Sequence, residues 1–180
     1  MVIQGNKKLY PVNQAAPEFL LPWLTHRDSL TQKLKNNTGC ARLQVLKQQW
    51  EDIDWWDKNA LIIQDDQVFR REIIMWANDE ACWYARTTIP KQTYQAAPLL
   101  FDRLQTESLS ELIFNEDRIK RNQLMYYAIN EACVEYHWLP KNMLSNAPVL
   151  WGRLSTLMVN DTEPFYLVEI LLPALLRVLR

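Results

Sequence analysis

Glycine is scarce in this chain: Gly5, Gly39 and Gly152 are the only three in 180 residues. A nucleotide or dinucleotide loop needs several close glycines so that the backbone can wrap a phosphate. No two of these lie close, so that class is excluded. Histidine is scarcer still, with His26 and His137 alone, too few for a His-rich metal site. A Ser-His-Asp or Cys-His device has no local signature. The three cysteines, Cys40, Cys82 and Cys133, are odd in number and far apart, which is neither a zinc pattern nor a disulfide framework. They fit a reducing compartment. An excess of one charge is also missing: 20 Lys and Arg stand against 21 Asp and Glu, for a net charge of −1. A neutral chain offers no general field for a nucleic-acid backbone, so no nucleic-acid partner is expected.

Long apolar runs are absent too. The most apolar segment, 165–179, is interrupted by Glu169, Pro173 and Arg177 and is too short to span a bilayer. Arg177 and Arg180 are too few to hold a membrane surface, so no stable membrane insertion is expected. Residues 1–13 carry lysines without an apolar stretch after them, which is not a secretory leader. A cytoplasmic location is expected. There is no repeat, low-complexity tract or linker, so residues 1–180 read as a single domain.

Apolar residues make up 48% and charged residues 23%, which suits a folded globular chain. Eight Trp, seven Tyr and five Phe point to an aromatic core or pocket. Strand-forming runs occur at 41–50, 68–76, 82–89, 118–129, 151–159 and 165–172. Asn78-Asp79 and Asn160-Asp161-Thr162 supply turns, so each flanking pair reads as a hairpin. Helical stretches are expected at 17–24, from an Asp28 or Ser29 cap to about Lys35, and at 99–104 and 108–114. Residues 131–145 give no clear assignment. Short links favour antiparallel pairing. The expected fold class is α+β, a single antiparallel sheet of about six strands with helices covering one face.

Two charges interrupt the strand alternation. One face of 68–76 carries Phe69, Arg71, Ile73 and Met75; one face of 165–172 carries Phe165, Leu167, Glu169 and Leu171. Arg71 and Glu169 are the lone polar members of otherwise core-facing rows. A buried charge without a partner costs several kcal/mol. Two readings follow. Arg71 and Glu169 pair with each other, or with Glu72 or Arg153, as structural ion pairs. Alternatively they stand on neighbouring strands across a pocket, with Arg71 gripping a ligand carboxylate and Glu169 meeting a hydroxyl at the far end. Arg86 and Arg153 read as rim or solvated residues, Trp55 and Trp56 as loop packing, and Arg27, Lys33 and Lys35 as a wet face. His26 reads as a surface or capping residue.

The segments LTHRDSLTQKL at 24–34, REII at 71–74, WYARTTIP at 83–90, LSELIF at 109–114, WGR at 151–153 and LVEILLP at 167–173 resemble, in this order, the chorismate–pyruvate lyases. The resemblance implies a six-stranded antiparallel sheet with helices. It implies a lyase that cleaves chorismate to 4-hydroxybenzoate and pyruvate for ubiquinone biosynthesis, with no cofactor and no metal, acting as a monomer. It places catalytic roles on Arg71 and Glu169. Substrate-binding roles fall on Leu30, Arg71, Leu109 and Glu169, the two leucines largely through backbone. A second cation, Arg86 or Arg153, would hold the pyruvyl carboxylate. The sequence departs from the family pattern at Leu30, often Met, at Ser110-Glu111, commonly Gly-Arg, and at Leu154, commonly a second arginine. The stretch from Phe114 to Trp151 is also long. These changes bear on the pocket lid. The alternative is a non-catalytic, small-acid-binding domain of the same fold, as in bacterial transcription regulators.

Overall fold

Two Asn-Asp turns organise the sheet. Asn78 and Asp79 adopt φ of 49° and 60°, and Asn160 and Asp161 adopt 53° and 64°. Asn and Asp tolerate this left-handed region, and consecutive positive φ values match the twist of a tight hairpin. The structure, a computed structural model, describes residues 3–4, 7–8, 15–114, 116–144 and 148–179. Most of the leader reading at 1–13, and Arg180, lie outside the described residues.

The strands are β1 (Arg42–Asp52), β2 (Gln67–Ala77), β3 (Glu80–Pro90), β4 (Ile119–Ile129), β5 (Leu150–Val159) and β6 (Glu163–Leu171). They form one six-stranded sheet in the order β1-β2-β3-β6-β5-β4. Every neighbouring pair is antiparallel. The hairpins β2–β3 and β5–β6 therefore meet along the β3–β6 seam, where Ala85 lies opposite Glu169.

The helices are α1 (Leu21–Leu24), α2 (Leu30–Thr38), α3 (Lys91–Ala96), α4 (Pro98–Asp102), α5 (Leu109–Phe114) and α6 (Ala174–Val178). They cover one face, called inner here. Leu24, Leu34, Phe101, Leu112 and Leu175 pack there on Ile73, Met75, Trp83, Leu157 and Leu171. Each such side chain contributes about 1.5–3 kcal/mol by leaving water. No helix among the described residues is long and apolar enough to cross a membrane.

The outer face is covered without long helices. A tight turn at Asp57–Leu61 and a 3-10 turn at Val134–Trp138 lie there. Trp56, Leu61 and Leu139 pack on Ile74, Tyr84, Val168 and Ile170. Trp56 meets Trp138 edge-on at 4.8 Å, so it serves packing, as expected. Of the unassigned stretch at 131–145, the described residues 131–144 fold as short turns. Helix α3 was not anticipated from the sequence; it begins directly after Pro90, where the strand ends.

Arg86 corrects the sequence reading. It is not a rim residue but is buried on the outer face. Its Nη2 meets Asp54 at 2.7 Å, and its guanidinium lies 4.1 Å over the Trp138 ring. Neighbouring Arg70 pairs with Asp57 at 2.6 Å and Glu51 at 2.9 Å. The outer face therefore holds a network in which each buried arginine meets at least one acid, on the side of the sheet away from Arg71 and Glu169. Leu154 is buried in this outer layer too, so its departure from the family pattern does not touch the inner face.

Gly152 marks a close approach. A Cβ there would sit 2.5 Å from Cδ1 of Ile129, itself fully buried. Gly152→Ala should therefore cost about 1–3 kcal/mol in urea unfolding. Adding Ile129→Val should return part of that loss by removing the clashing methyl. A Gly152→Ala protein as stable as the parent would contradict this packing.

Candidate active site

The inner face of β2, β3 and β6 brings the flagged residues under one roof. Arg71 lies opposite Thr87, and Ala85 opposite Glu169. Arg71 and Glu169 are thus not on neighbouring strands, as the sequence reading had it, but are separated by β3. Two strand spacings and a two-residue offset put roughly 12 Å between their backbones. Long side chains can then approach a small ring from opposite ends.

The roof consists of two helix starts. Ser29 caps α2, accepting from the Gln32 N–H at 3.0 Å. This decides between the two cap candidates read at 28 and 29. Ser108 and Glu111 form a reciprocal capping box for α5: the Ser108 N–H donates to Glu111 Oε2 at 2.9 Å, and the Glu111 N–H donates to Ser108 Oγ at 3.1 Å. Glu111, a departure from the family pattern, thereby caps its own helix. The hydroxyls of Ser29 and Ser110 hydrogen-bond to each other and join the two helix starts. Leu30 and Leu109 are the first residues of α2 and α5, so neither N–H has a partner within its helix.

Beneath this roof lies a cavity of about 50 Å³. On that scale about 10–15 Å³ holds one water, so the space has room for about three to five waters. Its lining includes all four sequence-flagged positions, Leu30, Arg71, Leu109 and Glu169. Apolar walls come from Ile73, Met75, Trp83 and Leu167.

The polar groups divide into two ends. At one end, Arg71 is buried; its Nε donates to Gln48 Oε1 at 2.8 Å and its Nη2 reaches the Glu107 carbonyl at 3.5 Å. No acid among the described residues pairs with it. Burial holds its guanidinium below the usual arginine range, yet an arginine stays charged. At the other end, Glu169 Oε2 lies 2.7 Å from Arg153 Nε. That contact joins opposite charges without an aligned hydrogen bond, and Oε2 keeps an unused acceptor. Arg153 is fully buried, which corrects its reading as a rim residue. Its Nη1 donates to the Trp23 and His26 carbonyls at 2.8 and 2.7 Å. Arg153 thus ties the loop after α1 to the sheet and supports Glu169 from below. Of the ion pairs weighed from the sequence, Arg153–Glu169 forms and Arg71–Glu169 does not.

One lining residue escaped the sequence reading. Arg121 of β4 borders the cavity. An extra residue, Asn122, bulges between Arg121 and Gln123. Before the bulge, odd-numbered Ile119 packs inward; after it, even-numbered Ala128 does, while Tyr127 packs outward. The bulge therefore inverts the parity of the strand, a change that alternation alone cannot reveal.

With this geometry in place, the comparison with known proteins is direct. The chorismate lyase profile matches residues 11–178. The chain belongs to the chorismate lyase family. It is accordingly a lyase. Among similar proteins, a "Probable chorismate pyruvate-lyase" of Psychromonas ingrahamii is 26% identical over 163 residues, covering 87% of this chain and 84% of the relative. One of Coxiella burnetii is 29% identical, covering 85% of this chain and 82% of the relative. The "Chorismate pyruvate-lyase" of Pectobacterium atrosepticum is 24% identical, covering 87% and 78%. Among solved structures, PhnF from Mycobacterium smegmatis has a TM-score of 0.58 at 15% identity, covering 82% of this chain and 65% of PhnF. The C-terminal domain of a histidine utilization repressor from Pseudomonas syringae has a TM-score of 0.56 at 13%, covering 74% and 92%. These two share the fold alone.

The pair beneath the cavity carries a stability prediction. Arg153→Met leaves Glu169 buried without its counter-charge and should cost about 3–5 kcal/mol. Arg71→Met strands no acid and should cost less. Urea unfolding of both variants checks the order; the reverse ranking would contradict the assignment of Arg153 as the partner of Glu169.

Proposed function

We propose that this chain eliminates pyruvate from chorismate to give 4-hydroxybenzoate. The observation that carries the reading is Arg71: a buried cation without an acid partner among the described residues, facing an apolar cavity with Glu169 at its other end. Chorismate is a cyclohexadiene with a ring carboxylate, a hydroxyl and an enolpyruvyl ether on the carbon next to the hydroxyl. Breaking the ether C–O bond and removing the hydrogen from the hydroxyl-bearing carbon makes the ring aromatic. The departing enolpyruvate gains a proton and becomes pyruvate, so atoms balance without a redox partner.

In this reading Arg71 takes the ring carboxylate, joined by the free N–H groups of Leu30 and Leu109. A bidentate guanidinium fits a carboxylate in shape and charge. Glu169 accepts the ring hydroxyl, and its contact with Arg153 holds it in place. The enzyme's part is to hold the ring in its reactive conformation away from water. The chain is proposed to work as a single-domain, cytoplasmic monomer, without cofactor, at the committed step toward ubiquinone. Product release is proposed to be slow, with the Ser29–Ser110 contact between the two helix starts as part of the exit.

Purified protein mixed with chorismate should produce 4-hydroxybenzoate, followed by absorbance. Binding of 4-hydroxybenzoate without any turnover would instead support the sensor-type reading. Arg71→Ala should weaken 4-hydroxybenzoate binding at least tenfold, about 1.4 kcal/mol; unchanged affinity would remove Arg71 from the site. Glu169→Gln should lower turnover, with circular dichroism reporting whether the fold is kept. Parental activity would reduce Glu169 to a packing role.

A further inference from the structure

The described cavity lining contains two cations, Arg71 and Arg121. Neither forms an ion pair with any described acid. Arg121 Nη1 donates to the Arg27 carbonyl, which anchors the guanidinium by one corner. Its Nε is buried and has no hydrogen-bond partner. Burial draws its affinity for the proton down; Glu169 and Asp28 push it up, and Arg153 and Arg27 push it down. In the sheet order β4 lies on the side of β6 away from β2, which sets Arg121 on the Glu169 side of the cavity, opposite Arg71. The acids lining the cavity are Glu169, already paired to Arg153, and Asp28, which is exposed.

We infer that Arg121 binds the second carboxylate of a dianionic substrate, the one carried by the enolpyruvyl ether. The inference rests on the reading of the site as a chorismate lyase. Two lining guanidiniums that form no ion pair with a described acid favour an occupant with two anionic groups. The ether stands on the carbon beside the hydroxyl-bearing one, so a hydroxyl at Glu169 sets the ether near the same end. Arg121 belongs to that end, and Arg71 is held by Gln48 and Glu107 at the other. Of the two cations suggested by the sequence, Arg86 lies on the opposite face. Arg153 is paired with Glu169, its Nη1 is taken by two carbonyls, and it is not among the described residues that line the cavity. Arg121 is the cation that remains.

The bulge at Asn122 is the device that supplies it. Were Asn122 paired regularly instead of bulged, alternation counted back from Ala128 would turn Arg121 outward. Bulges beside active sites commonly re-aim one side chain in this way.

The product separates the two arginines, because 4-hydroxybenzoate has lost the second carboxylate. Arg121→Ala should raise KM for chorismate at least tenfold while the Kd for 4-hydroxybenzoate stays within twofold. Arg71→Ala should impair both. Arg121→Lys should restore part of the KM. Retained product binding also shows that the variant is folded; if Arg121→Ala does not fold, Arg121→Gln is the replacement. An unchanged KM, or equal losses for substrate and product, would overturn the assignment. Absence of turnover by the parent protein would instead remove the lyase reading, and this inference with it.

Discussion

A cation taken out of water must find an anion, and Arg71 finds none among the described residues. Its hydrogen bonds to Gln48 and Glu107 orient it but leave its charge unmatched. A bare buried charge is costly. The outer face shows how the same chain settles such costs when no ligand is involved: Arg70 meets Asp57 and Glu51, and Arg86 meets Asp54. This contrast between the faces of one sheet is what supports the proposal that Arg71 is held ready for an occupant.

The rest of the architecture follows from holding that cation open. The β3–β6 seam places Glu169 beyond Arg71 with one strand between. Arg153 pairs with Glu169 and fastens the loop after α1. The α2 and α5 starts close the top, and their caps are built from Ser29 and from Ser108 with Glu111. Sheet register, helix caps and one bulge thus each position a polar group around the same small volume.

Much of this was legible in the sequence, for identifiable reasons. The six strands announced themselves through β-branched and aromatic runs, and the hairpins through Asn-Asp turns. Arg71 and Glu169 stood out because each breaks an apolar row. Arg153 was misread because its burial depends on the cross-strand position of Glu169, which no local pattern encodes. Arg86 was misread for a similar reason: its partners Asp54 and Trp138 are distant in sequence. Arg121 was missed because a one-residue bulge reverses alternation, and nothing in Lys120-Arg121-Asn122-Gln123 marks it. Helix α3 was missed because Pro90 reads as an end, while it also opens the next helix.

The fold is shared with transcription-regulator domains, so the architecture alone does not choose a function; the site does. The central claim is that the cavity reads two ends of one ring, a carboxylate at Arg71 and a hydroxyl at Glu169. Calorimetric titration with 4-hydroxybenzoate, benzoate and phenol tests it most directly. The account predicts that each one-ended compound binds at least tenfold more weakly than the two-ended acid. Equal affinity for benzoate and 4-hydroxybenzoate would contradict it.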